Sequence, residues 1–155
     1  TRLVIELNKM PFQKQEEILH EILSHKLFRR DCQDSTGIGM QMAENAQIKF
    51  GKFRVEGVTF TNRVKEDLAY RLRTEFENKT VFIPKSHDIR EDLHSVRRIT
   101  TASHNIRFDA DHSENGHADR FWALALALHA ADNGSGQINI STRKRYETLK
   151  LVEGF

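Results

Sequence analysis

The chain alternates short apolar runs of strand type with longer segments whose apolar positions recur at helical spacing. Residues 2–7 alternate and carry Val4 and Ile5, which predicts a strand, broken by Asn8, Lys9, Met10 and Pro11. Over 12–26, Ile18, Leu19, Ile22 and Leu23 mark one face of an otherwise charged helix. Residues 27–33 read as a second strand ending at Asp34. The small-residue turn 35–39 (STGIG) then leads into a helix that a hydroxyl could cap and that stops at Gly51. Residues 54–60, with Val55, Val58 and Phe60, form the strongest strand candidate. A helix over 62–78 follows, its stripe being Val64, Leu68, Leu72 and Phe76.

Further along, residues 81–84 read as a short strand closed by Pro84, and Ser86 opens a helix through Arg97 with Ile89, Leu93 and Val96 inward. Residues 99–109 suggest a hairpin turning at Ser103, His104 and Asn105. The last helix spans about 117–131 and is apolar on nearly every face, so it is expected to be buried. Strands alternating with helices imply βαβ units, hence an α/β fold with a largely parallel sheet. One domain over 1–132 is expected, followed by a polar, basic tail over 133–155.

Composition narrows the class without fixing it. The chain has 155 residues, 38% hydrophobic and 30% charged, enough for one core. Its longest apolar run, 121–131, is too short to span a bilayer, and no secretory signal opens it. Because Thr1 leads at once into a strand-like run, the sequence reads as part of something longer. The single cysteine, Cys32, excludes an internal disulfide and a cysteine-rich zinc site. It reads as an inert buried thiol in a reducing cytoplasm, where the triplets at Asn78 and Asn139 are chance matches to a glycosylation signal. A net charge of +2 does not announce nucleic acid. Local clusters do more: Arg29 with Arg30, Arg71 with Arg73, Arg97 with Arg98, and Arg143, Lys144 and Arg145 are each suited to phosphates or to an ordinary solvated face.

Two acids occupy positions where chemistry gathers in α/β folds. Asp34 ends a strand directly before a glycine turn, and Asp119 lies in the first turn of the last helix. Alone, Asp34 reads as a turn-forming aspartate, and Asp119 serves equally as a helix-end carboxylate or as a ligand. Together, such carboxylates suit Mg²⁺ or Mn²⁺, hard cations that take oxygen ligands and support two-metal phosphodiester cleavage. That chemistry usually takes three or more carboxylates. Other motifs fail. His20 and His25 stand five apart where a zinc helix needs four, and Gly37 with Gly39 lacks both a third glycine and a Walker-type lysine.

The same residues carry a family likeness. Residues 30–39 (RDCQDSTGIG) resemble the strand–acid–glycine turn of large terminase nuclease domains, and 116–127 (GHADRFWALALA) resemble that family's closing His-x-Asp and apolar helix. Residues 10–15 (MPFQKQ), 55–65 (VEGVTFTNRVK) and 81–93 (VFIPKSHDIREDL) fit in the same order. The chain from Arg2 to Ala131 is thereby similar to the Mu-like phage and prophage type. The resemblance implies an RNase H-like mixed sheet flanked by helices, here lacking the first strands, and an endonuclease that cuts viral DNA during packaging. It implies a Mg²⁺ or Mn²⁺ site in which Asp34 and Asp119 are the second and third acids, the first lying upstream of Arg2. It also implies supporting roles for His117 and Lys65; Asp111, close to Asp119 in sequence, is a further candidate support, and the basic positions Arg120, Arg97, Arg98, Arg143, Lys144 and Arg145 are the expected DNA contacts. The implied partners are double-stranded viral DNA, the portal or procapsid and the small terminase subunit, in the cytoplasm of a bacterial host and with no membrane. The rival readings are a non-catalytic DNA- or portal-binding module and another RNase H-like enzyme of resolvase or integrase type.

Overall fold

The computed structural model describes residues 1–101, 106–110 and 118–132. Its elements are α1 (Phe12–Ser24), β1 (Asp31–Asp34), α2 (Gly39–Phe50), β2 (Val55–Val58), α3 (Asn62–Glu77), α4 (His87–Ser95), β3 (Val96–Thr100), β4 (Ile106–Ala110) and α5 (Asp119–Asp132). Among the described residues no helix is long and apolar enough to cross a membrane.

The centre is a parallel pair, β1 and β2, in the register Asp31 to Val55 and Asp34 to Val58. Side chains alternate between its faces. Val55 faces a small core with Leu23 of α1 and Ala46 of α2, closed by Leu19, Phe28 and Phe50. Val58 faces the larger core, with Leu68, Ala69 and Leu72 of α3 and Phe121, Trp122, Ala125 and Leu126 of α5; Cys32 packs against the same cluster. Helices thus cover both faces of the pair. A second, antiparallel pair, β3 with β4, is separate from the first. It lies on α3, where Tyr70 meets Phe108 edge-on at 5.3 Å.

Helix ends follow local chemistry. The Thr61 hydroxyl accepts from the Val64 N–H at 3.2 Å and caps α3, and Ser86 does the same for α4 through the Ile89 N–H at 3.4 Å. Gly51, at φ 88°, stops α2 as its sequence position suggests. The cap expected from Ser35 or Thr36 for α2 is absent: Ile38 occupies that position with no side-chain bond, and the Thr36 hydroxyl instead accepts from the Phe60 N–H at 3.0 Å.

Several expectations need correction. The described sheet is not one largely parallel layer but two two-stranded pieces. Residues 2–7 form no strand, and Leu3, Val4, Ile5 and Leu7 are exposed. Alternation supplies the propensity, but no neighbouring strand satisfies their backbone among the described residues. Residues 81–84 fail for the same reason, with Phe82 exposed. The Thr1 ammonium donates to the Phe82 carbonyl and holds the two segments together. The second strand is shorter than expected, because residues 25–28 turn back with the Phe28 N–H donating to the His25 carbonyl. Helix α4 ends at Ser95, and Val96, Arg97 and Arg98 belong to β3. Helix α5 is buried on one side only: Ala123, Ala127 and Ala131 line its exposed face. The turn at Ser103 to Asn105 and the tail over 133–155 lie outside the described residues.

Two predictions follow from the strand pair. A Cβ on Gly39 would stand 2.2 Å from the Asp34 carbonyl oxygen, so Gly39→Ala must displace the backbone that carries Asp34. We expect chemical denaturation to show a loss of about 1–3 kcal/mol, as for overpacked sites. Asp31, on the small-core face, is held above the ordinary carboxylate range by burial, although the Gln33 amide and the Cys32 N–H oppose this. A folded pKa above the unfolded one means that ionisation costs stability as pH rises through that interval. Asp31→Asn should therefore raise the melting temperature at pH 7, and the gain should vanish below the ordinary carboxylate pKa. An equal gain at every pH would show that the charge is not the cause.

Candidate metal and phosphate site

Asp34 ends β1, and its position is set by close backbone contacts. Its Oδ1 accepts from the Thr36 N–H at 2.8 Å, closing an aspartate turn, and Gly37 takes φ 59° to let the chain enter α2. The Ser35 N–H continues the ladder to the Val58 carbonyl at 3.0 Å. Gly57 makes room for this turn, since a Cβ there would meet Ser35 Cβ at 3.1 Å. Among the described residues nothing engages Asp34 Oδ2, which leaves one carboxylate oxygen to solvent or a ligand.

Asp119 opens α5 and is exposed, with no hydrogen bond or ion pair to its carboxylate among the described residues. The preceding Ala118 is buried at φ 57°, a left-handed conformation costing an alanine roughly 1–2 kcal/mol. Strain of this kind is held in place by packing, here by the large core that Ala118 joins. The Ala118 side chain cannot cap a helix. Asp92 of α4 does so from across the interface, its Oδ2 accepting from the Arg120 N–H at 3.1 Å.

A relay of contacts joins the two acids' surroundings. The Thr36 hydroxyl accepts from the Phe60 N–H, the Phe60 ring lies 5.3 Å from the Trp122 ring, and the Trp122 N–H donates to the Ala118 carbonyl at 3.2 Å. The start of α5 is thus linked, through Trp122 and Phe60, to the turn that follows Asp34. Lys65, in the first turn of α3, places its ammonium 4.9 Å from the Trp122 ring and 5.6 Å from the Phe60 ring. Of the expected supporting residues, Lys65 is beside this junction, whereas His117 and Asp111 lie outside the described residues. Asp109, on β4, bonds to Arg107 and to the Ala110 N–H. Burial would raise its pKa, but the Arg107 hydrogen bond and the positive charges of Arg107 and Lys65 keep it below the ordinary value.

The basic residues divide. Arg97 and Arg98 are exposed on β3. Arg143, Lys144 and Arg145 lie outside the described residues. Arg120, expected on DNA, spends its guanidinium within the chain: Nε and Nη2 donate to the two Glu6 oxygens at 2.7 and 2.6 Å, and Nη1 donates to Asp92 at 3.2 Å. It ties residues 2–7 to α4 and α5. The Glu6 hydrogen bond, with Asp92 behind it, raises the Arg120 pKa.

The sequence reading missed a second cluster. Cys32, Glu56 and His129 each turn a ligand-type atom to a common point, all within 4.8 Å of one another; among the described residues they are the only three His, Cys, Asp or Glu groups so arranged. The Cys32 thiol meets Glu56 Oε2 at 3.5 Å, and His129 Nε2 lies 3.4 Å from Glu56 Oε1. Arg30 forms an ion pair with Glu56. Burial, then the Glu56 charge, pushes the Cys32 thiol up to about 12. For Glu56, burial acts upward, but hydrogen bonds from Arg30 and His129 hold it below the usual value. No local sequence signal announces it, because it takes the strand register of the fold to place Cys32 opposite Glu56.

The family model described as the Terminase RNaseH-like domain matches residues 3–131. The crystal structure of the large terminase nuclease from thermophilic phage G20c is similar to this chain with a TM-score of 0.64 and 24% sequence identity. That alignment covers 79% of this chain and 64% of the phage G20c protein, so the chain spans less than two thirds of that relative. At this identity the likeness establishes the fold. Among curated proteins none matches. With the family match running through nearly all of the described elements, the chain belongs to the family of terminase RNase H-like domains.

Proposed function

We propose that the chain supplies the catalytic platform of a metal-dependent endonuclease in the large subunit of a phage DNA-packaging terminase, with double-stranded viral DNA as substrate. What supports this reading is a convergence of elements, the chain of contacts from the Thr36 hydroxyl through Phe60 to Trp122 that links the turn after Asp34 to the start of α5. Family membership gives the convergence its chemical meaning.

Asp34 and Asp119 fit a hard divalent cation. Both are carboxylates, and among the described residues one keeps an unengaged oxygen and the other has no partner. Mg²⁺ or Mn²⁺ held there would supply an activated water and stabilisation of the leaving oxygen. The chain's own contribution is placement. The Gly39 contact and the Thr36 N–H fix one acid, and the strained Ala118 backbone and the Asp92 cap fix the other. Lys65 is the phosphate contact within this region, its ammonium held over the Phe60 and Trp122 rings. Arg97 and Arg98 extend the positive surface along β3. Arg120 serves as a clamp on the α5 start rather than as a DNA contact. The tail residues Arg143, Lys144 and Arg145 are proposed to meet DNA or a capsid component such as the portal, and the small terminase subunit is a proposed partner of the whole assembly.

In the full-length protein, Asp34→Asn and Asp119→Asn should each lower plasmid cleavage in Mg²⁺ or Mn²⁺ by at least about 10²-fold, because each removes a negative ligand from the ion's field. Cleavage that survives either change refutes the assignment. Lys65→Gln should leave metal binding intact, weaken DNA binding and reduce the slope of log affinity against log salt by about 1. An unchanged slope would place Lys65 outside the DNA path.

A further inference from the structure

We propose that Cys32, Glu56 and His129 form a second metal site, chemically distinct from the carboxylate pair and selective for a borderline-soft ion of the Zn²⁺ class. Three elements contribute one ligand each: β1, β2 and α5. A thiol, an imidazole and a carboxylate make a donor set that suits Zn²⁺ and does not suit Mg²⁺.

The three donors lie within 4.8 Å of one another, within reach of one ion after small side-chain adjustment. Bond lengths of about 2.3 Å to sulfur and about 2.1 Å to nitrogen and oxygen give tetrahedral edges of about 3.6 Å for S···O and about 3.4 Å for N···O. Cys32 Sγ lies 3.5 Å from Glu56 Oε2 and His129 Nε2 lies 3.4 Å from Glu56 Oε1, so the carboxylate stands between the other two donors with one oxygen toward each, and a turn of the carboxylate would bring a single oxygen to both edges. Cys32 and Glu56 are register partners on adjacent strands, so the ladder itself fixes two of the ligands. Arg30 already bonds the Glu56 carboxylate, the kind of outer partner that orients a ligating carboxylate. The guanidinium adds positive charge, which the thiolate and carboxylate together outweigh. Three protein ligands leave a fourth position for water, consistent with the half-buried setting of all three. Such an ion would staple the distal part of α5 to both strands, and it needs neither Asp34 nor Asp119.

The test is titration of the chain with Co²⁺, a spectroscopic substitute, followed by displacement with Zn²⁺. Because Cys32 is the only cysteine, a thiolate-to-cobalt charge-transfer band reports on it alone. We expect one thiolate-ligated Co²⁺ per chain, the band lost on adding Zn²⁺, and a melting temperature that rises with Zn²⁺. Cys32→Ser should abolish the band, and Glu56→Gln and His129→Gln should each weaken Co²⁺ binding at least about tenfold. His129→Gln alters a partly exposed helix residue, so circular dichroism can confirm that this variant is folded. The double change of Asp34→Asn with Asp119→Asn should leave the band in place, separating this site from the nuclease reading. No band in the wild type, a band indifferent to Glu56→Gln and His129→Gln, or a band lost in the double variant would each overturn the proposal.

Discussion

The packing of α5 on the β1–β2 pair is the constraint on which the rest depends. Phe121, Trp122, Ala125 and Leu126 bury one side of this helix against Val58 and the α3 stripe of Leu68 and Leu72. Buried apolar area of this kind is worth roughly 25 cal/mol per Å², and it is the main term holding the helix in place. Small residues on that side, Ala125 and Ala130, let the helix approach closely. Once this contact forms, the two ends of α5 are set against two different levels of β1. Near the start of the helix Trp122 meets Phe60, just beyond the end of β2, and near its end His129 comes to Glu56, the register partner of Cys32.

Polar contacts then refine what packing sets. Asp92 caps the helix from α4, and Arg120 reaches both Asp92 and Glu6, so the start of α5 is tied to two other parts of the chain. These links are short and geometrically specific, yet the Glu6 side is solvent-exposed, and its contribution to stability is correspondingly small. Their consequence is orientation. Among the described residues Asp119 has no partner of its own, while its neighbour Arg120 is fully engaged, which suits the cation role proposed for this carboxylate.

Much of this was legible in the sequence, for identifiable reasons. Helices α1, α3 and α4 announce themselves through apolar stripes and α5 through its apolar run, and Ser86 and Gly51 mark ends where their chemistry predicts. Asp34 and Asp119 stand out because each joins a strand or helix end to an unusual neighbour, a glycine turn in one case and an apolar helix in the other. What failed was whatever depends on a partner distant in sequence. Residues 2–7 and 81–84 have strand-like composition but no adjacent strand among the described residues. Val96 continues the spacing of Ile89 and Leu93, yet pairing with Ala110 draws it into β3. The destination of Arg120 is set by Glu6, 114 positions away, which no local pattern reveals. Likewise, Cys32 reads as an isolated thiol until register and the phase of α5 bring Glu56 and His129 beside it.

The most direct test of this arrangement is a map of where a paramagnetic ion sits. Adding substoichiometric Mn²⁺ to isotopically labelled chain should broaden the amide signals around residue 34 and around residue 119 together and with matched dependence on concentration. Broadening confined to one of those segments, or independent titration of the two, would contradict the claim that α5 packing unites them.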